Sequence, residues 1–301
     1  MKGMSLLLAP LLALAAGAAA FAAYGADPAA AYAAMARAAL GSAHGLSECV
    51  VKATPLVFTG LAVALPATMQ LWNIGAEGQF AWGAVAATWV ALFAAPHLPG
   101  PLVLPAAFAA GALAGAAWAA LPGALKARLG ASEILTTLLL NYVALIAMEH
   151  LFFGPWRDPH GLGFPGTALF PDAALNPRLP GTRIHLGLPL GLGLALLLHL
   201  VLSRTAFGYR VRAMGLAPRA ARYAGMDLAR HTVLVLALAG GMAGLAGACE
   251  VTGIHHKLQE GVAVGLGYDG IVAACLARLK PAAVPLSALV LGAVAVGGEG
   301  L

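Results

Sequence analysis

The sequence predicts an all-α membrane protein, a polytopic bundle of about eight to nine transmembrane segments with broken or half helices. Three observations predict it. Hydrophobic residues make up 61% of the 301 positions and charged residues 10%, against about 25% charged in an ordinary soluble domain. The apolar residues fall in long runs, several near the roughly 20 residues that cross a hydrocarbon core. The chain also carries 38 glycines and 19 prolines. These weaken soluble helices, but in lipid glycine lets helices approach closely and packed neighbours re-satisfy backbone freed by proline.

The apolar runs place spans at about 5–24, 52–72, 79–96, 101–121, 133–153, 185–203, 231–252, 268–279 and 281–298. The first follows Lys2 and reads as a retained transmembrane helix, with a cleaved signal peptide as the other reading. The run 268–279 is too short to cross as a straight helix, so it is expected as a half-helix or as part of a broken span. Residues 1–301 are read as a single transmembrane domain.

Basic residues set the orientation. With Lys2 on the cytoplasmic side, alternation puts 122–132, 204–230 and the hinge 278–280 inside. Together with Lys2 these segments hold eleven of the seventeen Lys and Arg, which argues for a cytoplasmic N-terminus. The net charge of +5 is spread between apolar runs rather than gathered in one stripe, which argues against a nucleic-acid surface. Cys49, Cys249 and Cys275 are scattered without a C-x-x-C pair, so neither a disulfide framework nor a zinc site is expected.

Two connections stand out. The outer segment 154–184, rich in Pro and Gly with Trp156, Asp158, Asp172 and Asn176, is either a cap on the external face or a plain surface loop. In the inner segment 204–230, Pro218 is placed to start and Gly225 to end a short helix over 218–224. Two turns are marginal alone. The segment is therefore either a docking element for a partner or a basic inner loop. Small-x-x-x-small pairs at Gly111 and Gly115, Gly187 and Gly191, and Gly240 and Gly244 fit close helix contacts.

Three segments hold polar groups among apolar spans. L-W-N-I-G-A-E-G-Q-F, 71–80, places Asn73, Glu77 and Gln79 beside Gly75 and Gly78. It reads as a hinge lining a substrate path or gate, or as a capped turn with Glu77 at a helix N-terminus. G-A-S-E-I-L-T-T-L-L-L-N-Y, 130–142, puts Thr137 and Asn141 four apart on one helix face. Asn141, about two turns in, needs a hydrogen-bond partner from another helix or from a ligand. V-T-G-I-H-H-K-L-Q-E-G-V-A-V-G-L-G-Y-D-G, 251–270, is expected as a re-entrant or external gate segment. Glu250 just before it and its His255, His256, Glu260 and Asp269 have no diagnostic metal spacing. Most acids sit at the ends of the expected spans, with Glu149 and Glu250 as the exceptions. No Walker motif, H-E-x-x-H or G-x-S-x-G occurs, so no catalytic set is expected.

The strings themselves resemble those of one family. N-I-G-A-E-G-Q at 73–79, K-A-T-P-L-V-F-T-G-L-A-V-A-L at 52–65, E-I-L-T-T-L-L-L-N-Y at 133–142, A-M-G-L-A-P-R-A-A-R-Y-A-G-M-D at 213–227 and G-Y-D-G-I-V-A-A-C-L-A-R at 267–278 are similar, in the same order, to ABC importer permeases for nucleosides and simple sugars. These are of the branched-chain amino acid and ribose type. The resemblance implies two permease subunits, copies or paralogues, paired in a bacterial-type cytoplasmic membrane. It also implies a cytoplasmic ABC ATPase carrying the ATP and Mg, and an external substrate-binding lipoprotein or periplasmic protein. This chain itself is expected to bind no cofactor and to be no enzyme. The family's coupling segment maps onto Gly215, Ala220, Ala221, Tyr223 and Gly225, which strengthens the docking reading. Asn73, Glu77, Gln79, Thr137 and Asn141 become candidates for the substrate path or gate. Relatives continue past the Gly-Gly-Glu region with another apolar span, whereas the sequence here stops at G-G-E-G-L, 297–301; one C-terminal helix is therefore expected to be missing. The alternative function is an ATPase-independent secondary transporter or channel for a small polar solute.

Overall fold

The computed structural model describes residues 4–301, with side chains from residue 11 onward. Lys2, on which the orientation was hung, lies outside the described residues. The chain folds as α1 (Met4–Ala23), α2 (Pro28–Leu40), α3 (Ala43–Ala67), α4 (Ala76–Trp89), α5 (Gly100–Leu129), α6 (Glu133–Phe153), α7 (Gly187–Arg204), α8 (Ala206–Leu216), α9 (Pro218–Tyr223), α10 (Leu228–Glu250), α11 (Leu266–Leu276) and α12 (Val284–Glu299). A π-turn and a short 3-10 turn extend α4 to His97, and a π-turn extends α10 to His255.

Seven helices among the described residues are long and apolar enough to cross a membrane. The expected eight to nine segments included the first apolar run and 268–279. The first run continues, through a 115° bend, into α2, a helix the apolar runs did not separate. α11 has 11 residues, about 16 Å at 1.5 Å per residue, roughly half of a hydrocarbon core.

Glycine sets the packing. α10 lies against both α4 and α5, and four of the flagged glycines, Gly111, Gly115, Gly240 and Gly244, meet at the α5–α10 crossing. A Cβ at Gly111 would come within 2.6 Å of the Ala248 Cβ, and one at Gly115 within 2.8 Å of the Gly244 Cα. Real contacts of that length do not occur, so bare backbone is what allows α4, α5 and α10 to touch. α3 is the central helix, nine-tenths of its span buried, with α11 and α12 packed along it.

The two ends of the bundle differ. At one end lie the segment 154–186, the start of α3 and the turn after α10. Arg178 donates from Nε to the Gly253 carbonyl at 2.9 Å, and Arg183 pairs with Glu48. The Gly253 carbonyl belongs to a π-turn, whose backbone groups are not all consumed within the helix. Arg178 supplies that partner. Segment 154–186 is thus a cap held on the bundle, not a loose surface loop. The opposite end carries α8 and α9.

Candidate functional site

After α3 the chain does not simply turn and leave. Gln70 adopts φ 59° and reverses the backbone, and Leu71 N donates to the Pro66 carbonyl at 3.1 Å. Residues 71–75 then run back beside α3 without helical bonding, until Asn73 Nδ2 donates to the Ala62 carbonyl at 3.2 Å. Ala62 lies six residues inside the end marked by Thr68, about 9 Å along the axis. α4 therefore starts inside the bundle. α11 does so too: its first residue, Leu266, gives its carbonyl to the Thr59 hydroxyl at 3.0 Å. Irregular backbone at such depth survives only where protein groups satisfy it.

The sequence-predicted residues are those groups. Asn73 and Gln79 face each other amide to amide, with bonds of 2.9 and 2.8 Å, and the Asn73 Oδ1 also accepts from Gly75 N at 3.1 Å. Asn141 Oδ1 accepts from Gly78 N at 2.9 Å, while its Nδ2 donates to the Ile74 carbonyl at 2.8 Å and the Tyr268 hydroxyl at 3.1 Å. Both Glu77 oxygens accept, from Gly265 N at 2.7 Å and Gly267 N at 2.6 Å. A carboxylate at the first turn of α4 thus also caps the N-terminus of α11, where the helix dipole favours negative charge. Gly267 must be glycine for this approach, since a Cβ there would meet the Ala76 carbonyl carbon at 2.6 Å. Thr137 bonds only to its own helix, donating to the Glu133 carbonyl at 2.6 Å. All five side chains are at most 1% exposed. The structure gathers Asn73, Glu77, Gln79 and Asn141 into one buried, hydrogen-bonded knot joining α3, α4, α6 and α11, and Thr137 lies beside it without bonding to it. Segment 71–80 is a break in the spans, and Glu77 caps a helix, though that helix is a distant one.

A second polar region lies toward the cap end. A recess of about 230 Å³ opens between α3, Arg183, the end of α10 and the segment before α11, with Leu266 among its lining residues. Lys52, Arg183, Glu250 and His255 line it. Glu250 and His255 were singled out from the sequence; Lys52 and Arg183 were not. The signal was present, since Glu48 and Lys52 sit within an otherwise apolar helix start, but their partners Arg183 and Glu299 are 135 and 247 residues away. Around the recess the cap is electrostatically set. The Glu48 carboxylate holds the Arg183 guanidinium above its usual pKa. Burial, with the Arg178 charge nearby, lowers His185 to about 4. His256 is lowered by the same two causes.

At the opposite end α9 runs from Pro218 to Tyr223, and Gly225 has φ 76°, as a helix stop requires. The five predicted coupling residues divide. Ala220 and Gly225 are exposed and Tyr223 is 94% exposed, whereas Ala221 is buried in the core. Gly215, on α8, lies against the bundle: a Cβ there would meet the Met69 Cα at 3.0 Å. Gly215 and Ala221 therefore fasten the short helices, and the other three face outward.

Residues 45–301 match the model of the family described as branched-chain amino acid transport system / permease component. The chain is 39% identical to the glucose ABC transporter permease protein of Haloferax volcanii, over 97% of this chain and 79% of that protein. It is 33% identical to the guanosine ABC transporter permease protein of Bacillus subtilis, over 98% and 86%, and 28% identical to a nucleoside ABC transporter permease protein of Lactococcus lactis subsp. cremoris, over 87% and 74%. No solved structure is significantly similar. A bundle of membrane-length helices with two helix starts held inside it, matched along most of its length, belongs to this family: the chain is a multi-pass permease subunit of an ABC transporter, a transport protein rather than an enzyme.

Proposed function

We propose that the chain imports nucleosides or simple sugars across a bacterial-type cytoplasmic membrane, as one of two paired permease subunits. The end bearing α8 and α9 faces a cytoplasmic ABC ATPase, which carries the ATP and Mg; this chain binds neither. The capped end faces outward, toward a substrate-binding lipoprotein or periplasmic protein. Its relatives named for glucose, guanosine and nucleosides support the substrate class. The observation that carries the coupling is the contact of Gly215 with Thr68 and Met69. It joins the exposed short helices to the base of the unwound segment 71–75. Asn73, Glu77, Gln79, Thr137 and Asn141 act here as the hinge beside the substrate path.

The test is uptake by membrane vesicles holding this chain, its paired permease, the ATPase and the external protein. Ala220→Glu with Tyr223→Ala alters the exposed face of α9 and leaves Ala221 in place. Loss of ATP-dependent nucleoside and sugar uptake, with the chain still inserted, is expected. Normal uptake by this variant, or concentrative uptake by the chain without any ATPase, sinks the reading; the second result identifies a secondary transporter.

A further inference from the structure

The recess beside Lys52 and Glu250 is absorbed by neither the knot nor the coupling face. Its charged walls are unevenly satisfied. Arg183 is engaged by Glu48, and Lys52 by Glu299 at 2.6 Å. Glu250 is different. Its side chain is 12% exposed, and the nearest ionisable group, His255 Nε2, stands 3.8 Å away, too far for a hydrogen bond. Among the described residues nothing donates to its carboxylate. Such a group, almost out of water, is costly until donors reach it.

Which donors fit follows from charge and size. Each of the two cations already has its own carboxylate, Lys52 with Glu299 and Arg183 with Glu48. No positive charge is left over, so a phosphate or carboxylate ligand gains nothing here. A carboxylate has two acceptor oxygens side by side, which match two adjacent hydroxyls. Apolar wall comes from Ile254, Val264 and Leu266, suited to the face of a ring. At about 230 Å³ the recess is below the roughly 300–1,000 Å³ of drug-sized sites, so it admits a single ring.

We propose that this recess binds the vicinal hydroxyls of an uncharged sugar ring, with Glu250 as the acceptor and any attached base left outside. The inference rests on the nucleoside-or-sugar reading above and adds its recognition element. It also accounts for how one scaffold serves a hexose in one relative and a ribonucleoside in another, since both offer adjacent ring hydroxyls.

The experiment uses the permease–ATPase complex in nanodiscs without the external protein, so that any selectivity belongs to the membrane subunits. Val264→Cys puts a thiol on the recess wall, where Val264 is 66% exposed; Cys275→Ser removes the exposed native thiol. The rate of thiol modification is followed with glucose, guanosine, 2′,3′-dideoxyguanosine and guanosine monophosphate. Glucose and guanosine are expected to slow it, the dideoxy compound to fail, and the monophosphate to do no better than guanosine. Glu250→Gln is expected to raise the protecting concentration by at least about tenfold. Equal protection by the dideoxy compound, tighter protection by the monophosphate, or an unchanged Glu250→Gln variant overturns the proposal. The ligand series alone decides should that variant not assemble. If the complete transporter takes up guanosine or glucose but neither protects the thiol, this inference fails alone. If it takes up neither compound, the broader reading fails with it.

Discussion

Removing the Glu77 carboxylate is the sharpest test of the knot. Its two oxygens accept from Gly265 N and Gly267 N at 2.7 and 2.6 Å, and nothing else among the described residues takes those two donors. Glu77→Ala leaves both buried N–H groups unsatisfied. Each orphaned donor costs about 1–3 kcal/mol, and the bonds are charge-assisted, roughly twice the strength of neutral ones. A loss of about 3–5 kcal/mol is expected. Glu77→Gln keeps one acceptor oxygen but turns an NH2 toward the other amide donor, so about 2 kcal/mol is expected. An ordinary polar bond between membrane helices is worth only about 0.6 kcal/mol. The assay therefore separates a cap from a routine interhelical contact. Unfolding of the purified chain is titrated with SDS in mixed micelles, reading helicity. The expected order is wild type, then Gln, then Ala. Two variants within about 0.6 kcal/mol of wild type refute the cap, because the half-helix would then be held by packing alone.

Other outcomes follow from the same structure. Asn141→Leu removes bonds to Gly78, Ile74 and Tyr268 and is expected to cost about 2–3 kcal/mol in the same titration. Thr137→Val, which loses only a bond within its own helix, should cost under about 1 kcal/mol. Gly111→Ala forces a Cβ into Ala248 and is expected to destabilise by about 1–3 kcal/mol; Gly193→Ala, which meets nothing within 4 Å, should be neutral. For His185, burial sets the ring near pKa 4, against about 6.5 when free. Between those values the unfolded chain binds the extra proton. Stability is therefore full above about pH 6.5 and falls as pH drops toward 4, by on the order of 3 kcal/mol. Stability measured across that window should lose most of its slope in His185→Gln; an unchanged slope refutes the assignment.

The fold was legible where it depends on composition and on local signals. Apolar runs marked the spans, Pro218 and Gly225 bracketed α9, and the shortness of 268–279 announced a half-helix. The polar residues Asn73, Glu77, Gln79 and Asn141 could be picked out because polar groups among apolar spans must have partners. Their partners could not be read. Glu77 reaches amides 188 and 190 residues away, and no helical or strand period encodes such a distance. α2 was missed because Gly25, Asp27 and Pro28 are turn residues and helix-starting residues at once. Arg183 carries no local signal in the sequence, because its partner Glu48 lies 135 residues away.

The contrast between the two polar regions bears on where a solute can pass. In the knot, Asn73, Glu77, Gln79 and Asn141 spend their side-chain oxygens and amides on one another and on backbone. A solute binding there must first break several buried bonds, each costing about 1–3 kcal/mol when left open. In the recess, Glu250 has no such bonds to give up, and its carboxyl group already faces an opening. Preorganised but unsatisfied acceptors favour a ligand; satisfied ones favour a fixed joint. On the proposed reading, the division of labour is a binding surface on the Glu250 side and a hinge on the Glu77 side. Leu266 belongs to both: it lines the recess, and the amides of its two neighbours are the ones Glu77 holds. A shift of α11 that opens or closes the recess must carry the Glu77 cap with it. Strain reaching Thr68 through Gly215 enters the same unit by way of 71–75.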